Sequence, residues 1–513
     1  MLHRLFIATG VIAGLSAGIA EARTLRVGYE SDILGTDPAG DRDSATDTVI
    51  QHLFEGLTAF REDGSVGLLL AKSEELSADG KTLVFRLRDG LMFHNGDPLT
   101  ANDVVWNWKR YLDPKTGWRC LSAFDGSKGG KLLDVVAPDR LTVEFRFDAA
   151  MPMASAMMAR PDCGGSGIAS SKSVAADGTW QTPIGTGPFK LGEWRSGETI
   201  RLDRFDDYAA LPGASDGYTG NKKANVDAVL LRIIADTEAA KNALLAGDID
   251  LIPDVPPTVA EELTSRVGFK TDKSEGMSFT GLILQTNDPI LKDARLRQAI
   301  ERALDRKQIA NAMTGGYSSP NCSPIPKASP WFSHEQAECP SADPVVLSEL
   351  LTAAGYKGQT ITLQTSKDGY YEVAIITQAM LAAAGMNVQL EVSDWATQFE
   401  NYDSGRFQMQ TFSFSARMDP SLSFDMFTGS KAEDPRKLWD NASAQKLLNE
   451  SFSEADPIKR RAIFDTLFTL FKADVPMIVF YNGSQVSAFR DAVTGYKAWL
   501  GETPRFWRVD MAD

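Results

Sequence analysis

With 513 residues, 43% of them hydrophobic, the chain has material for a large core and is too long for one simple domain. Its formal net charge of −15 at pH 7 argues against nucleic acid or an acidic membrane surface as partner, since like charges repel. Length alone leads one to expect two or three packed lobes.

The first 22 residues read as an export signal. His3 and Arg4 give a short basic start, and residues 5–19 are apolar, loosened by Gly10, Gly14 and Gly18. Ala20-Glu21-Ala22 then offers small residues where a signal peptidase reads, so cleavage is expected before Arg23. The stretch is short for a membrane anchor. No Cys lies near it to carry a lipid, so the mature chain is expected free in the periplasm.

Residues 24–29 read as a first strand. A helix is expected from residue 47, with Val49, Ile50, Leu53, Phe54 and Leu57 as its apolar stripe. Residues 82–88 and 141–147 alternate as half-buried strands, with Leu83, Phe85, Leu87, Leu141, Val143, Phe145 and Phe147 inward. Between them Thr100 is placed to cap a helix, Asp103 suits its first turn, and Val104, Val105, Trp108 and Leu112 mark its buried face. This section reads as a small α+β lobe.

Residues 226–234 are apolar on both faces, as in the middle of a covered sheet. Residues 361–395 form the clearest unit. A strand leads into a helix over 371–384, Gly385 stops it, and a second strand follows over 386–392. Such a crossover implies parallel pairing. A further strand is expected over 407–414 and a buried one over 475–482.

The four cysteines fit no zinc ribbon and no CxxC motif. Two disulfides are expected in an oxidising compartment: Cys322 with Cys339 across a Pro- and Ser-rich loop, and Cys120 with Cys163 beside Gly-rich loops. Buried free thiols are the alternative. The histidines of the mature chain, His52, His94 and His334, lack metal-ligand spacing. Residues 126–131 are one residue short of a phosphate loop, and Ile168 stands where a nucleophile elbow needs Gly. Ser443 and Lys446 sit in a polar helix. No catalytic set, metal site or cofactor is expected.

Several blocks together resemble the family 5 extracellular solute-binding proteins, the oligopeptide, dipeptide, nickel and opine binders of ABC importers. They are Leu53-Phe54-Glu55-Gly56-Leu57-Thr58, Phe93-His94-Asn95-Gly96-Asp97-Pro98-Leu99-Thr100-Ala101, Gly185-Thr186-Gly187-Pro188-Phe189, Ala246-Gly247-Asp248-Ile249-Asp250 and Arg295-Leu296-Arg297-Gln298-Ala299-Ile300. The resemblance implies a periplasmic binding protein-like α/β fold, two α/β lobes joined by a hinge plus an α+β insertion lobe. Lobe I would comprise residues 23–58, 185–275 and 485–513, lobe II residues 59–184, and lobe III residues 276–484. It places His94 in a structural turn.

The same resemblance implies the substrate-binding component of an ABC importer, not an enzyme. It would be a monomer that closes over a small-molecule ligand and delivers it to the permease transmembrane subunits, without nucleic acid and without inserting into the membrane. Peptide binders of the family place an Asp, pairing with the peptide ammonium, where this chain has Arg417. A guanidinium there inverts the charge preference and suggests an anionic group on the ligand, as in an opine, a sugar phosphate or an acidic peptide conjugate. Alternatively Arg417 pairs with Asp419 and serves only the fold, or Asp419 shifts to the ligand. Trp395 and Phe414 would stack on ligand or fill the core. Asp41, Trp118, Arg160, Tyr481 and Asn482 are further candidates by position. Ordinary di- or oligopeptides are the alternative cargo, and a secreted α/β hydrolase is the reading from another class.

Overall fold

In the computed structural model, which describes residues 23–40, 43–127, 129–367 and 369–512, one ten-stranded mixed sheet runs through the molecule. Its strands lie in the order Val388–Ser393, Ile361–Ser366, Met409–Phe414, Phe269–Leu284, Met477–Arg490, Leu251–Ile252, Thr24–Tyr29, Ala228–Ile233, Thr199–Arg204 and Phe189–Arg195. The two central strands, of 16 and 14 residues, are antiparallel and serve both halves of the sheet. One half is built on the parallel pair Thr24–Tyr29 and Ala228–Ile233, the other on the parallel pair Ile361–Ser366 and Val388–Ser393.

That second pair is the crossover expected from the sequence. Its connecting helix is Tyr371–Ala383, and Gly385 takes φ +80°, a backbone that a side chain would strain. The first helix begins earlier than the apolar stripe suggested, at Ser44, because Asp43 caps it by accepting from the Thr46 N–H at 2.8 Å. It ends at Leu53, so Leu57 packs from beyond it.

A separate four-stranded antiparallel sheet holds Ala71–Leu76, Thr82–Leu87, Thr142–Phe147 and Leu132–Asp139 in that order. Leu83, Phe85, Leu87, Val143, Phe145 and Phe147 are buried as their alternation required, and Leu141 lies just before its strand, half-buried. The helix Ala101–Leu112 covers this sheet. Asp103 accepts from both the Thr100 N–H and its hydroxyl at 2.8 Å, and Val104 and Trp108 are buried, while Val105 and Leu112 are only partly so.

The C-terminal tail folds back onto the start of the chain. The Phe506 N–H donates to His52 Nε2 at 3.0 Å, Arg505 pairs with Glu62 at 2.5 Å, and Trp499 Nε1–H donates to the Glu62 carbonyl at 3.0 Å. His52 is thereby fixed as a neutral ring, its Nδ1–H on the Thr48 carbonyl, and burial holds it down to about 3. His94 is likewise spent in a turn, against the Gly187 carbonyl and the Gly185 N–H. No helix among the described residues is long and apolar enough to cross a membrane. The expected export signal lies outside the described residues.

Candidate functional site

A cavity of about 350 Å³ opens where five parts of the chain meet: the start of the first helix, the two loops at 119 and 160–162, the loop 415–418, and the tail at 501–503. The two loops are tied by the disulfide Cys120–Cys163, with Cα atoms 5.7 Å apart, and Trp118 Nε1–H donates to the Cys163 carbonyl at 3.1 Å. Arg119, Arg160 and Asp162 therefore enter the cavity from one braced platform. The second disulfide, Cys322–Cys339, lies in the loop expected to carry it.

Arg160 grips Asp162 through Nε at 3.1 Å and Nη2 at 2.7 Å. From the opposite wall Arg417 brings Nη2 to 3.6 Å of the same carboxylate, while its Nη1 donates to Ser415 Oγ and the Ala416 carbonyl, each at 2.9 Å. Burial opposes charge on Asp162, yet Arg160 and Arg417 together hold its carboxyl well below the usual range. Desolvation pulls Arg417 down, with Asp162 opposing and Arg160 and Arg119 adding repulsion. Two guanidinium groups thus share one carboxylate while Arg119 adds positive charge to the same cavity, a setting that favours a second anion. Removing the internal competitor gives a direct check. Asp162→Asn is expected to tighten anion binding several-fold while lowering the melting temperature, both read from one ligand-dependent thermal-shift series.

Another part of the lining, Asp43, Asp47 and Glu502, is acidic. Glu502 accepts from the Ser278 N–H at 3.1 Å and its hydroxyl at 2.8 Å, and desolvation, only partly offset by these bonds, pushes it up to about 7. Glu502, Ser44 and Thr503 also line an adjoining cavity of about 230 Å³ that contains Glu30 and Asp254. Asp254 opens to solvent there, but desolvation within the cleft and the charge of Glu30 push it up to about 7 as well.

The structure redistributes the residues picked out from sequence. Asp419 is corrected to a structural role: its buried carboxylate takes two bonds from Arg460, at 2.6 and 2.7 Å, and caps the helix Pro420–Asp425 through the Ser421 N–H. The supposed Arg417–Asp419 pair is therefore replaced by Arg417–Asp162. Trp118 is corrected to core, beside Trp108, Tyr111 and Phe124. Phe414 is buried against Phe279 and Phe412. Asn482 is buried with its amide bonded to Asn321, the Lys327 N–H and the Ser278 carbonyl. Asp41 lies outside the described residues; its neighbour Asp37 pairs with Arg110.

Trp395 is 36% exposed and lies against Tyr370 and Phe412. Tyr481 contacts Thr280, whose hydroxyl is 2.5 Å from that of Ser413, and Ser413 in turn bonds Tyr370. Trp395, Tyr370 and Tyr481 thus share one aromatic, hydroxyl-bearing patch. Sequence reasoning missed Arg119, Asp162 and Glu502. Adjacency to Cys120 and Cys163 would have flagged the first two; nothing local flags Glu502.

Among the described residues the one group spaced for a metal is Cys120, Asp162 and Cys163, and its cysteines are bonded to each other. Closing loops of 43 and 17 residues contributes about 4 and 3 kcal/mol in the chain-entropy account. Replacing Cys120 and Cys163 together by Ser is expected to lower stability by up to about 4 kcal/mol. The same change should weaken ligand binding, because Arg119 and Asp162 lose their brace. Denaturant unfolding and calorimetry read the two effects separately.

The model of the bacterial extracellular solute-binding proteins, family 5, matches residues 65–435. The chain belongs to this family. Family 5 proteins are solute-binding components of ABC importers, and the two-lobed binding-protein fold is the α/β architecture found here. The chain is 27% identical over 523 residues to di/tripeptide-binding protein 4 of Pseudomonas aeruginosa, covering 94% of each. It superposes with TM-score 0.77 and 25% identity on the periplasmic binding protein AgaA of A. tumefaciens R10, solved in complex with agropinic acid, covering 96% of this chain and 99% of that one. The Helicobacter pylori binding protein DppA, in complex with the peptide STSA, shares the fold with TM-score 0.80 at 23% identity, covering 96% and 98%. These relatives are solute-binding proteins, not enzymes.

Proposed function

We propose that this family 5 protein captures a small solute bearing a carboxylate or phosphate, closes its lobes over it and delivers it to an ABC permease. The carrying observation is that Arg160 and Arg417 share the single carboxylate of Asp162 in a cavity of about 350 Å³ that Arg119 also lines. A guanidinium pairs with such groups through two parallel bonds, and burial strengthens the attraction. An opine, a sugar phosphate or an acidic peptide conjugate fits this chemistry, and the agropinic acid bound by AgaA supports the first. Trp395 and Tyr481, with Tyr370, would meet the rest of the ligand. The reading includes export by cleavage before Arg23, a monomer free in the periplasm, and lobe boundaries at 58/59, 184/185, 275/276 and 484/485.

A second reading, di- or oligopeptides, draws on the di/tripeptide-binding relative and on the acidic residues Asp43 and Glu502 of the cavity, which suit a peptide ammonium. Native mass spectrometry of protein purified without refolding reports the mass of any co-purified solute. A thermal-shift panel then compares opines and sugar phosphates with dipeptides. Stabilisation by the anionic compounds supports the first reading; stabilisation by dipeptides alone overturns it.

A further inference from the structure

The two long central strands pair in regular register from Phe269 opposite Arg490 to Glu275 opposite Ser484, then break and resume at Phe279 opposite Asn482. Glycine stands in the break on both strands, as Gly276 and Gly483. The carboxyl of Glu502 fills the space they leave: a Cβ on Gly276 would come 2.0 Å from its Oε1, and one on Gly483 2.2 Å. Glu502 itself is held with φ +56°, a backbone uncommon for a side-chain-bearing residue. It is further fixed by the Ser278 bonds, from a residue inside the break. The acid is thus wedged where the strands that serve both halves of the sheet lose their regular pairing, and it lines both cavities of the cleft.

The charges around it are named readily. The first helix and its cap contribute Asp47 and Asp43, the loops after Thr24–Tyr29 and Leu251–Ile252 contribute Glu30 and Asp254, and the disulfide-braced loops and the loop 415–418 contribute Arg119, Arg160, Asp162 and Arg417. The strand Phe269–Leu284 adds Asp272, bonded to the Ala498 N–H, and Glu275, bonded to Ser319; the tail adds Arg505, paired with Glu62.

We propose that Glu502 couples ligand capture to proton uptake, because an anion captured in the cavity it lines sets negative charge beside a carboxyl already withdrawn from water. The proposal rests on the anionic-ligand reading. The proton comes from solvent and stays on Glu502, and no bond of the ligand changes. Sitting near 7 in the described form, the group would be pushed higher in the closed, loaded form. Affinity is then level at low pH, where Glu502 is already neutral, and falls as pH rises through about 7, by up to tenfold per pH unit until the loaded form also ionises.

The test is isothermal calorimetry with a hexose 6-phosphate and an opine carboxylate at pH 8, repeated in buffers of different ionisation heat. Wild-type protein is expected to take up a substantial fraction of one proton per site. Glu502→Gln, which keeps the shape and an acceptor for Ser278, is expected to lose that uptake and flatten the pH profile. Asp254→Asn serves as the control for the neighbouring acid and should retain most of it. Binding that depends on Arg417 but shows no uptake, or equal uptake in Glu502→Gln, overturns the proposal and leaves the ligand class standing. Failure of every anion to bind overturns both.

Discussion

Arg417→Ala is expected to weaken binding of the anionic ligand roughly ten- to a hundredfold, the loss of about 1.5–3 kcal/mol that goes with a hydrogen bond to a charged group. The residue is well suited to this test. Its guanidinium is nearly enclosed, yet its own contacts are a Ser hydroxyl, one carbonyl and a share of Asp162 at 3.6 Å, so its charge is only partly answered by the protein itself. Asp162 keeps its two bonds to Arg160 after the substitution, so folding should survive. Arg417→Lys should recover part of the affinity, since it restores charge but not the planar fork. Calorimetric titration of wild type and both variants decides the matter. Equal affinities would reduce Arg417 to a brace between two loops.

A second large effect is expected on stability, at a buried ion pair outside the arginine-bearing cavity. Arg460 is buried with two bonds to Asp419, one to the Ser451 carbonyl and one to Ser421 Oγ, and its guanidinium stacks 4.8 Å from the Trp331 ring. Arg460→Ala strands the Asp419 carboxylate inside the protein and leaves a cavity, at a cost of about 3–5 kcal/mol. Asp419→Asn should cost less, because an amide oxygen still accepts from the guanidinium. Urea unfolding with matched m-values reads the difference. A chain of several lobes need not unfold in one step, so the transition involving Trp331 is the one to follow. Near-wild-type stability of Arg460→Ala would mean that the pair is no anchor.

Elements with a local signature were legible in the sequence. The crossover over 361–392 declared itself through a helical stretch, a stop glycine and an alternating strand, and the Thr100–Asp103 cap through residue type and spacing. The long central strands were only half seen. Residues 475–482 looked like a short buried strand, whereas Met477–Arg490 continues because its far end pairs with residues more than two hundred positions away. The site divided in the same manner. Arg417 and Arg160 were picked out by position within the family pattern, while Asp162, beside Cys163, was passed over, because only the fold brings Arg417 to it. Trp118, Phe414 and Asn482 went to the interior because an aromatic or amide side chain says nothing about which face of its segment it occupies.

The return of the tail to the start of the chain bears on how the molecule is assembled in time. His52 and Phe506 are bonded across 454 residues, and Arg23 pairs with Asp510 at the same end. A polypeptide made from its N-terminus cannot complete these contacts until its last residues are synthesised. Pairings of such sequence separation are slow to form. The early-made half must therefore wait with strand edges open, and this interval, more than the finished structure, is when the protein is most exposed to aggregation and proteolysis.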